Sequence, residues 1–168
     1  TYAITDKLNA TFGVRKSDDE SDYTIEMTTT SPGITFVQVP GVWSEVLEFG
    51  STDPKLVLDY SFNENTMGYV SVSSGYKSGG FSFATWSESE SRGGFNEEEL
   101  DATEIGVKYK SSDNRLVVNA AYYEYDYTDQ QQQIIVVTQS GSLAGKTFNA
   151  GESEMTGFEL ETKYAITD

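Results

Sequence analysis

The 168-residue sequence contains no cysteine and no histidine. Disulfide staples, thiolate metal centres and imidazole-based catalytic triads within the chain are thereby excluded. Proline occurs only three times, so strand breakers are few. No stretch approaches the roughly 18 apolar residues of a membrane-crossing helix; the longest aliphatic run is Ile134 to Val137. That absence leaves the membrane open as a destination, because a barrel strand crosses with about 9–11 residues, of which only every second need be apolar. Bases are scarce too, 11 against 27 acids for a net charge of −16. Lys16 to Thr52, Ser78 to Asp101 and Thr128 to Glu154 hold sixteen of those acids and only three bases, Lys16, Arg92 and Lys146. Such a field repels phosphates and argues against a nucleic-acid partner.

What the chain has in quantity is aromatic residues, 11 Tyr, 9 Phe and 2 Trp, a composition suited to strands. Four times a tyrosine is followed four residues later by an acid at a turn: Tyr2 and Asp6, Tyr60 and Glu64, Tyr109 and Asp113, Tyr164 and Asp168. After the first three acids an alternating run opens at Leu8, Met67 or Leu116, and another such run precedes each later tyrosine. Leu8, Ala10, Phe12 and Val14 alternate with Asn9, Thr11, Gly13 and Arg15; Leu56, Leu58, Tyr60 and Phe62 alternate with Val57, Asp59 and Ser61. Val70, Val72 and Tyr76 stand against Tyr69, Ser71 and Ser73, and Ile105, Val107 and Tyr109 against Glu104, Gly106 and Lys108. Leu116, Val118, Ala120 and Tyr122 oppose Asn119, Ala121, Tyr123 and Tyr125; Phe158, Leu160, Thr162 and Tyr164 oppose Glu159, Glu161 and Lys163. Period two with one apolar face means strand.

The pattern predicts an all-β fold, an antiparallel up-and-down transmembrane β-barrel segment of about six strands in three hairpins, with fragments of neighbouring strands at both ends. Short turns at Thr5–Lys7, Asn63–Thr66 and Ser111–Asn114 fall at the periplasmic end, where the four tyrosines form an aromatic girdle. Long extracellular loops span Lys16 to about Thr52, Lys77 to Asp101 and Thr128 to Glu154, and Tyr23 to Met27, Ile34 to Val39 and the start of the third loop are placed as extensions of flanking strands. The expected organisation is one partial β-barrel domain over residues 1–168, incomplete at both ends, with no plug domain and no signal peptide. Charged Glu159, Glu161 and Lys163 on one face suit a wet lumen rather than lipid.

Five blocks then carry a family resemblance. They are Tyr69-Val-Ser-Val-Ser-Ser-Gly-Tyr-Lys-Ser-Gly-Gly-Phe81, Phe95-Asn-Glu-Glu-Glu-Leu100, Glu104 to Lys108 followed by Arg115 to Tyr127 and its Gln-rich tail, Asn149-Ala-Gly-Glu152, and Gly157-Phe-Glu-Leu-Glu161. In this order they resemble TonB-dependent outer-membrane receptors from about Leu56 to Asp168, with Tyr2 to Arg15 fitting as one more strand. The resemblance implies a barrel of roughly 22 strands in the bacterial outer membrane, occluded by a plug that contacts a TonB-type energy transducer. It implies lipid and lipopolysaccharide around the barrel, and import of a scarce small-molecule ligand such as a ferric siderophore, haem, cobalamin or a glycan. No cofactor, catalytic residue or metal ligand is implied.

The ligand-facing candidates are Trp43 and Trp86 in exterior loops, Arg92 as the lone base of its acidic loop, and Tyr123, Tyr125 and Tyr127 on one face rising towards the loops. Each also has a plainer reading: loop packing for the indoles, pairing with Glu88, Glu90 or Glu97 for Arg92, and an upper girdle for the tyrosines. Asp18, Asp19, Glu20 and Asp22 lack the spacing of an EF-hand loop, so solvated loops are the first reading and a cation-binding surface the second. Ser78-Gly79-Gly80 and Arg92-Gly93-Gly94 lack a P-loop lysine and a following helix, and read as loop hinges. No carboxylate pair is fixed at the separation glycosidases need, and no enzyme activity is expected. The rival classes are a passive porin or structural barrel, and a soluble β-rich binding or assembly protein.

Overall fold

The computed structural model describes residues 1–27, 41–81, 94–137 and 143–166. Its elements are β1 (Tyr2–Ala3), β2 (Leu8–Met27), β3 (Gly41–Asn63), β4 (Thr66–Lys77), β5 (Glu98–Lys110), β6 (Leu116–Thr128), β7 (Gln131–Val137), β8 (Leu143–Asn149) and β9 (Ser153–Tyr164). Seven of them form one sheet in the order β1-β2-β3-β4-β5-β6-β9, and β7 and β8 pair separately. Every pairing is antiparallel. The all-β, up-and-down expectation is borne out as an open sheet.

Two differences concern the loops. Lys16 to Thr52 is mostly strand: β2 and β3 stay paired from Leu8 opposite Tyr60 to Met27 opposite Gly41. Alternation fades there because acids and apolar residues fall on both faces, Asp18, Glu20 and Val46 on one and Asp19, Leu47 and Phe49 on the other, and periodicity reports a contrast between two surroundings rather than the strand itself. Ile34 to Val39 lies outside the described residues. The start of the third loop is strand as well, but β7 leaves β6 at Asp129, which has a φ of 53°, and pairs with β8 instead of prolonging the sheet.

The register sorts the side chains cleanly. One row crosses all seven strands as Tyr2, Ala10, Leu58, Val70, Ile105, Tyr122 and Phe158. The row beside it runs Asn9, Asp59, Tyr69, Gly106, Ala121 and Glu159 on the opposite face. Leu58, Val70, Ile105, Tyr122 and Phe158 are all exposed, and the one buried hydrophobic side chain among the described residues is Phe81, at 6%. The sheet is a single layer with an apolar and a polar face.

The four repeat tyrosines share the apolar face but are not level across the ladder. Tyr2 lies opposite Ala10 while Tyr60 lies opposite Leu8; Tyr60 meets Gly68 while Tyr109 meets Thr66; Tyr109 meets Val118 while Tyr164 meets Leu116. Each is displaced two residues towards the turns relative to the one before. Two residues along at about 3.3 Å each, over two strands across at about 4.8 Å each, define an angle of about 35°, which lies within the strand tilt of barrels. Tilted by that amount, the strands hold all four rings at one height.

The residue after each later tyrosine adds a second repeated feature. Ser61, Lys110 and Ala165 donate their N–H groups to Lys7 O, Asn65 O and Arg115 O in the preceding turn, at 2.8, 2.9 and 2.9 Å. The acid of the repeat is less uniform. In the first turn Thr5 Oγ1 accepts from Lys7 N and Leu8 N, and in the second Asn63 Oδ1 accepts from Asn65 N. Among the described residues only the acid of the third turn itself acts, Asp113 Oδ1 accepting from Ser111 Oγ and Arg115 N. Short oxygen-bearing side chains are what the turns require, and an acid is one of several that serve.

Those bonds, Ser111 first and Arg115 second, hold the Asp113 carboxyl below the usual carboxylate range. A carboxyl with a depressed folded pKa stabilises the fold above its unfolded value, and that contribution is lost as pH falls through the folded value. Amide exchange at Arg115, corrected for its intrinsic pH dependence, is therefore expected to accelerate as pH drops below about 4. Asp113→Asn should abolish the dependence. Protection of the wild-type amide that stays constant down to about pH 2 would refute this account of the turn.

Candidate functional site

The polar face builds its site from cross-strand rows. Thr11, Val57, Ser71, Glu104, Tyr123 and Gly157 lie in register, and above them Gly13, Lys55, Ser73, Ala102, Tyr125 and Met155. Asn9 Nδ2 donates to Asp59 Oδ1 at 2.9 Å, and Tyr69 OH donates to Glu104 Oε1 at 2.5 Å. Lys108 Nζ stands 5.3 Å from the Tyr69 ring centroid. Nearer the turns Glu161 is held by Asn119 at 3.1 Å and by Lys163 at 2.7 Å. Lys55, Tyr69, Ser71, Glu104, Lys108 and Tyr125 line a concave surface of about 460 Å³. Its chemistry is that of a binding wall, offering both charge signs, hydroxyl groups and aromatic faces.

Two tyrosines lie flat across this wall because a glycine sits opposite each. A Cβ on Gly106 would come within 2.5 Å of the Tyr69 ring, and one on Gly157 within 2.3 Å of Tyr123 Cζ. The rings take the volume that side chains on those residues would fill, which compensates a glycine in a strand. Tyr123 in turn stacks on Tyr125 with centroids 4.7 Å apart at 28°.

Above the wall, segments distant in sequence form one cluster. Phe81 stacks on Tyr23 at 4.6 Å and 16°. Gly80 and Phe95 exchange backbone hydrogen bonds of 3.0 and 2.8 Å. A Cβ on Gly79 would lie 2.4 Å from the Phe49 ring, and one on Gly94, whose φ is +53°, 2.3 Å from Gly80 O. These glycines thus permit close approach of packed segments; the hinge reading does not fit Gly79, Gly80 and Gly94, and Arg92 and Gly93 lie outside the described residues. Gln131 Nε2 donates to Ser78 O and Asn96 O at 2.9 and 3.0 Å, and Gln131 N to Glu98 Oε2 at 2.6 Å. Asn149 Nδ2 donates to Asn96 O and Asp129 O at 3.0 and 2.7 Å, and Asn149 Oδ1 accepts from Asn96 N at 2.8 Å. Four of the five resemblance blocks meet at this amide clamp.

The sequence candidates fall in different places. Tyr123 and Tyr125 are half-buried on the polar wall, and Tyr127, opposite Leu100 and Ser153, continues their face upward. Trp43 belongs to β3, with its Cα opposite Ile25, so its backbone is strand and not loop. Trp86 and Arg92 lie outside the described residues. Sequence reasoning passed over the Tyr69–Glu104 pair, Lys55 and Lys108 as a group, and the Gln131–Asn149 clamp. Polar residues opposite an apolar stripe were the available signal for the first four. Asp18, Glu20 and Asp22 alternate with Asp19 along β2, so they point to two sides; Lys16 pairs with Asp18 at 3.2 Å and Tyr76 OH bonds Asp19. No trio of acids placed to hold a metal occurs among the described residues.

A two-faced sheet of tilted strands with a tyrosine at one height in each period is a piece of barrel wall, and a family model described as TonB dependent receptor-like, beta-barrel matches residues 1–167. The chain belongs to this family. Solved receptors share its fold. The ferric yersiniabactin uptake receptor FyuA of Yersinia pestis matches with a TM-score of 0.72 at 22% identity, over 98% of this chain and 22% of that one. The ferric-catecholate import receptor Fiu of E. coli K12 gives 0.64 at 18% identity, over 98% and 24%. The Serratia marcescens hemophore receptor HasR, solved with its hemophore HasA and heme, gives 0.63 at 14%, over 95% and 29%. The chain thus spans less than a third of each of these three receptors. Family membership makes the apolar face of this TonB-dependent receptor barrel its outer surface and the polar face its inner one.

The glycine–tyrosine pairing predicts a measurable coupling. Gly157→Ala displaces the Tyr123 ring and should cost the barrel about 1 kcal/mol, in line with aromatic contacts worth about 0.5–1.5 kcal/mol. In a Tyr123→Ala background the same change should be neutral or stabilising, since alanine relieves the strand penalty of glycine. Urea unfolding of the four variants checks this, and additive effects would rule the pairing out.

Proposed function

We propose that this chain forms part of the wall of an outer-membrane receptor that imports a scarce ligand, of the ferric siderophore, haem, cobalamin or glycan class, by energy-coupled transport. The observation that carries the reading is the division of the sheet: an uninterrupted apolar row from Tyr2 to Phe158, exposed at every position but Ala10 and backed by a face of charges and tyrosines. An apolar outer band and a polar interior are what a bilayer-spanning barrel needs. The uptake receptor FyuA, the import receptor Fiu and the hemophore receptor HasR, which share this fold, support the ferric siderophore and haem classes. In this reading residues 1–168 are one partial barrel domain, and a plug elsewhere in the receptor meets a TonB-type transducer. Lipid and lipopolysaccharide surround the wall.

Ligand capture belongs to the upper inner surface. Tyr123 and Tyr125 present stacked rings to a siderophore or porphyrin, with Tyr127 above them, and Trp43, Trp86 and Arg92 complete the ligand-facing set. The receptor works as a transporter with no catalytic step.

Uptake by cells carrying the full-length receptor tests this. With a panel of radiolabelled ferric siderophores and haem, one ligand should accumulate only when the receptor is present in the outer-membrane fraction, and a protonophore should stop it. Solute flux that persists without the proton-motive force would instead indicate a passive porin. Tyr123→Ala combined with Tyr125→Ala should weaken binding of the transported ligand at least about tenfold, or about 1.4 kcal/mol, with barrel assembly intact. Unchanged affinity would remove the two tyrosines from the site.

A further inference from the structure

The outer, apolar face is not flat. Between β3 and β9 it holds a groove of about 590 Å³. One wall is Tyr60 and Phe62, whose rings meet edge to face at 5.2 Å and 74°. The other is Tyr122 and Phe158, direct cross-strand partners. The floor is low because Ala120 and Gly68 supply almost no side chain, and the Phe62 ring leans over Gly68 so closely that a Cβ there would lie 2.9 Å from it. Most of the lining belongs to the apolar face, and the register places the remaining lining residues, Asp59, Tyr69, Gly106 and Ala121, in one row of the opposite face.

Its height is informative. The groove begins at Phe62, just on the turn side of the girdle tyrosine Tyr60, and climbs to Phe158, six residues above the girdle tyrosine Tyr164 on the same strand. At about 3.3 Å per residue and a tilt of about 35°, that climb is roughly 16 Å. One leaflet contributes half of a hydrocarbon core of about 30 Å. The groove therefore reaches from the periplasmic interface to the middle of the bilayer, the span of one acyl chain. A carbon-lined depression left empty loses the dispersion contacts of its lining, and in this setting only hydrocarbon is available to restore them.

We propose that the groove is a binding site for one acyl chain of a glycerophospholipid in the periplasmic leaflet, with the Tyr60 hydroxyl at the level of its headgroup. The inference rests on the outer-membrane barrel reading above. A chain seated between two aromatic walls exchanges more slowly than bulk lipid, so one phospholipid stays with the receptor when the remainder is stripped by detergent.

Native mass spectrometry of the full-length receptor, extracted from membranes and washed in mild detergent, tests the site. The wild-type spectrum should show a resistant adduct of one phospholipid. Ala120→Phe, which fills the floor, should abolish it, and so should Tyr122→Ala, which removes a wall without adding bulk. Val14→Phe, on the apolar face but outside the groove, should retain it. An adduct equally abundant in all four proteins, or absent from the wild type, would overturn the proposal, and one with the mass of lipopolysaccharide would overturn the assignment to the periplasmic leaflet. If these proteins fractionate with the outer membrane and shift in mobility on heating, that failure touches the groove alone; a receptor absent from the membrane would take the barrel reading with it.

Discussion

Backbone pairing between neighbouring strands is the constraint on which this structure depends. A sheet one layer thick has no interior of its own, and Phe81 is the single buried hydrophobic side chain among the described residues. Its organisation must then come from the ladder, whose amide and carbonyl groups cost several kcal/mol each if left unpaired against hydrocarbon. The two surroundings fix the register of that ladder. A slip of one residue would exchange Leu58, Val70 and Ile105 for Asp59, Tyr69 and Gly106 on the outer face, carrying a carboxylate into the apolar band.

This is also why some of the fold was legible in the sequence and some was not. From Leu8 to Val14, Leu56 to Phe62 and Phe158 to Tyr164 the two faces meet different media, and the alternation records it. Between Lys16 and Thr52 the same two strands continue with acids on both sides, and their pairing leaves no mark on composition. The tyrosines of the repeat were readable as one series because each recurs at the same step of the ladder. The acids beside them promised more than they do: Thr5, Asn63 and Asp113 share the turn-capping task, and hydrogen-bond geometry, not charge, selects them.

The candidate site was legible only in part for a related reason. Alternation placed Tyr123 and Tyr125 together on one face, but nothing local to β6 announces that Glu104 and Gly157 flank Tyr123, since that depends on cross-strand register. The clamp above them is less local still. Gln131 and Asn149 reach carbonyls of Ser78, Asn96 and Asp129, so two stretches that look like separate loops in sequence are fastened into one rim. The rim is a braced collar at the base of the β7–β8 hairpin.

The even displacement of the repeat tyrosines has a geometric consequence for the receptor as a whole. A slip of two residues for every two strands means that shear grows in step with strand number. Carried around the roughly 22 strands that the family resemblance implies, it closes a cylinder about 20 Å in radius. Side chains extending inward from such a wall cannot meet across the axis. The bore has room for a folded domain, and the polar face of this sheet, with its carboxylates, lysines and tyrosine hydroxyls, is the surface against which that domain would turn.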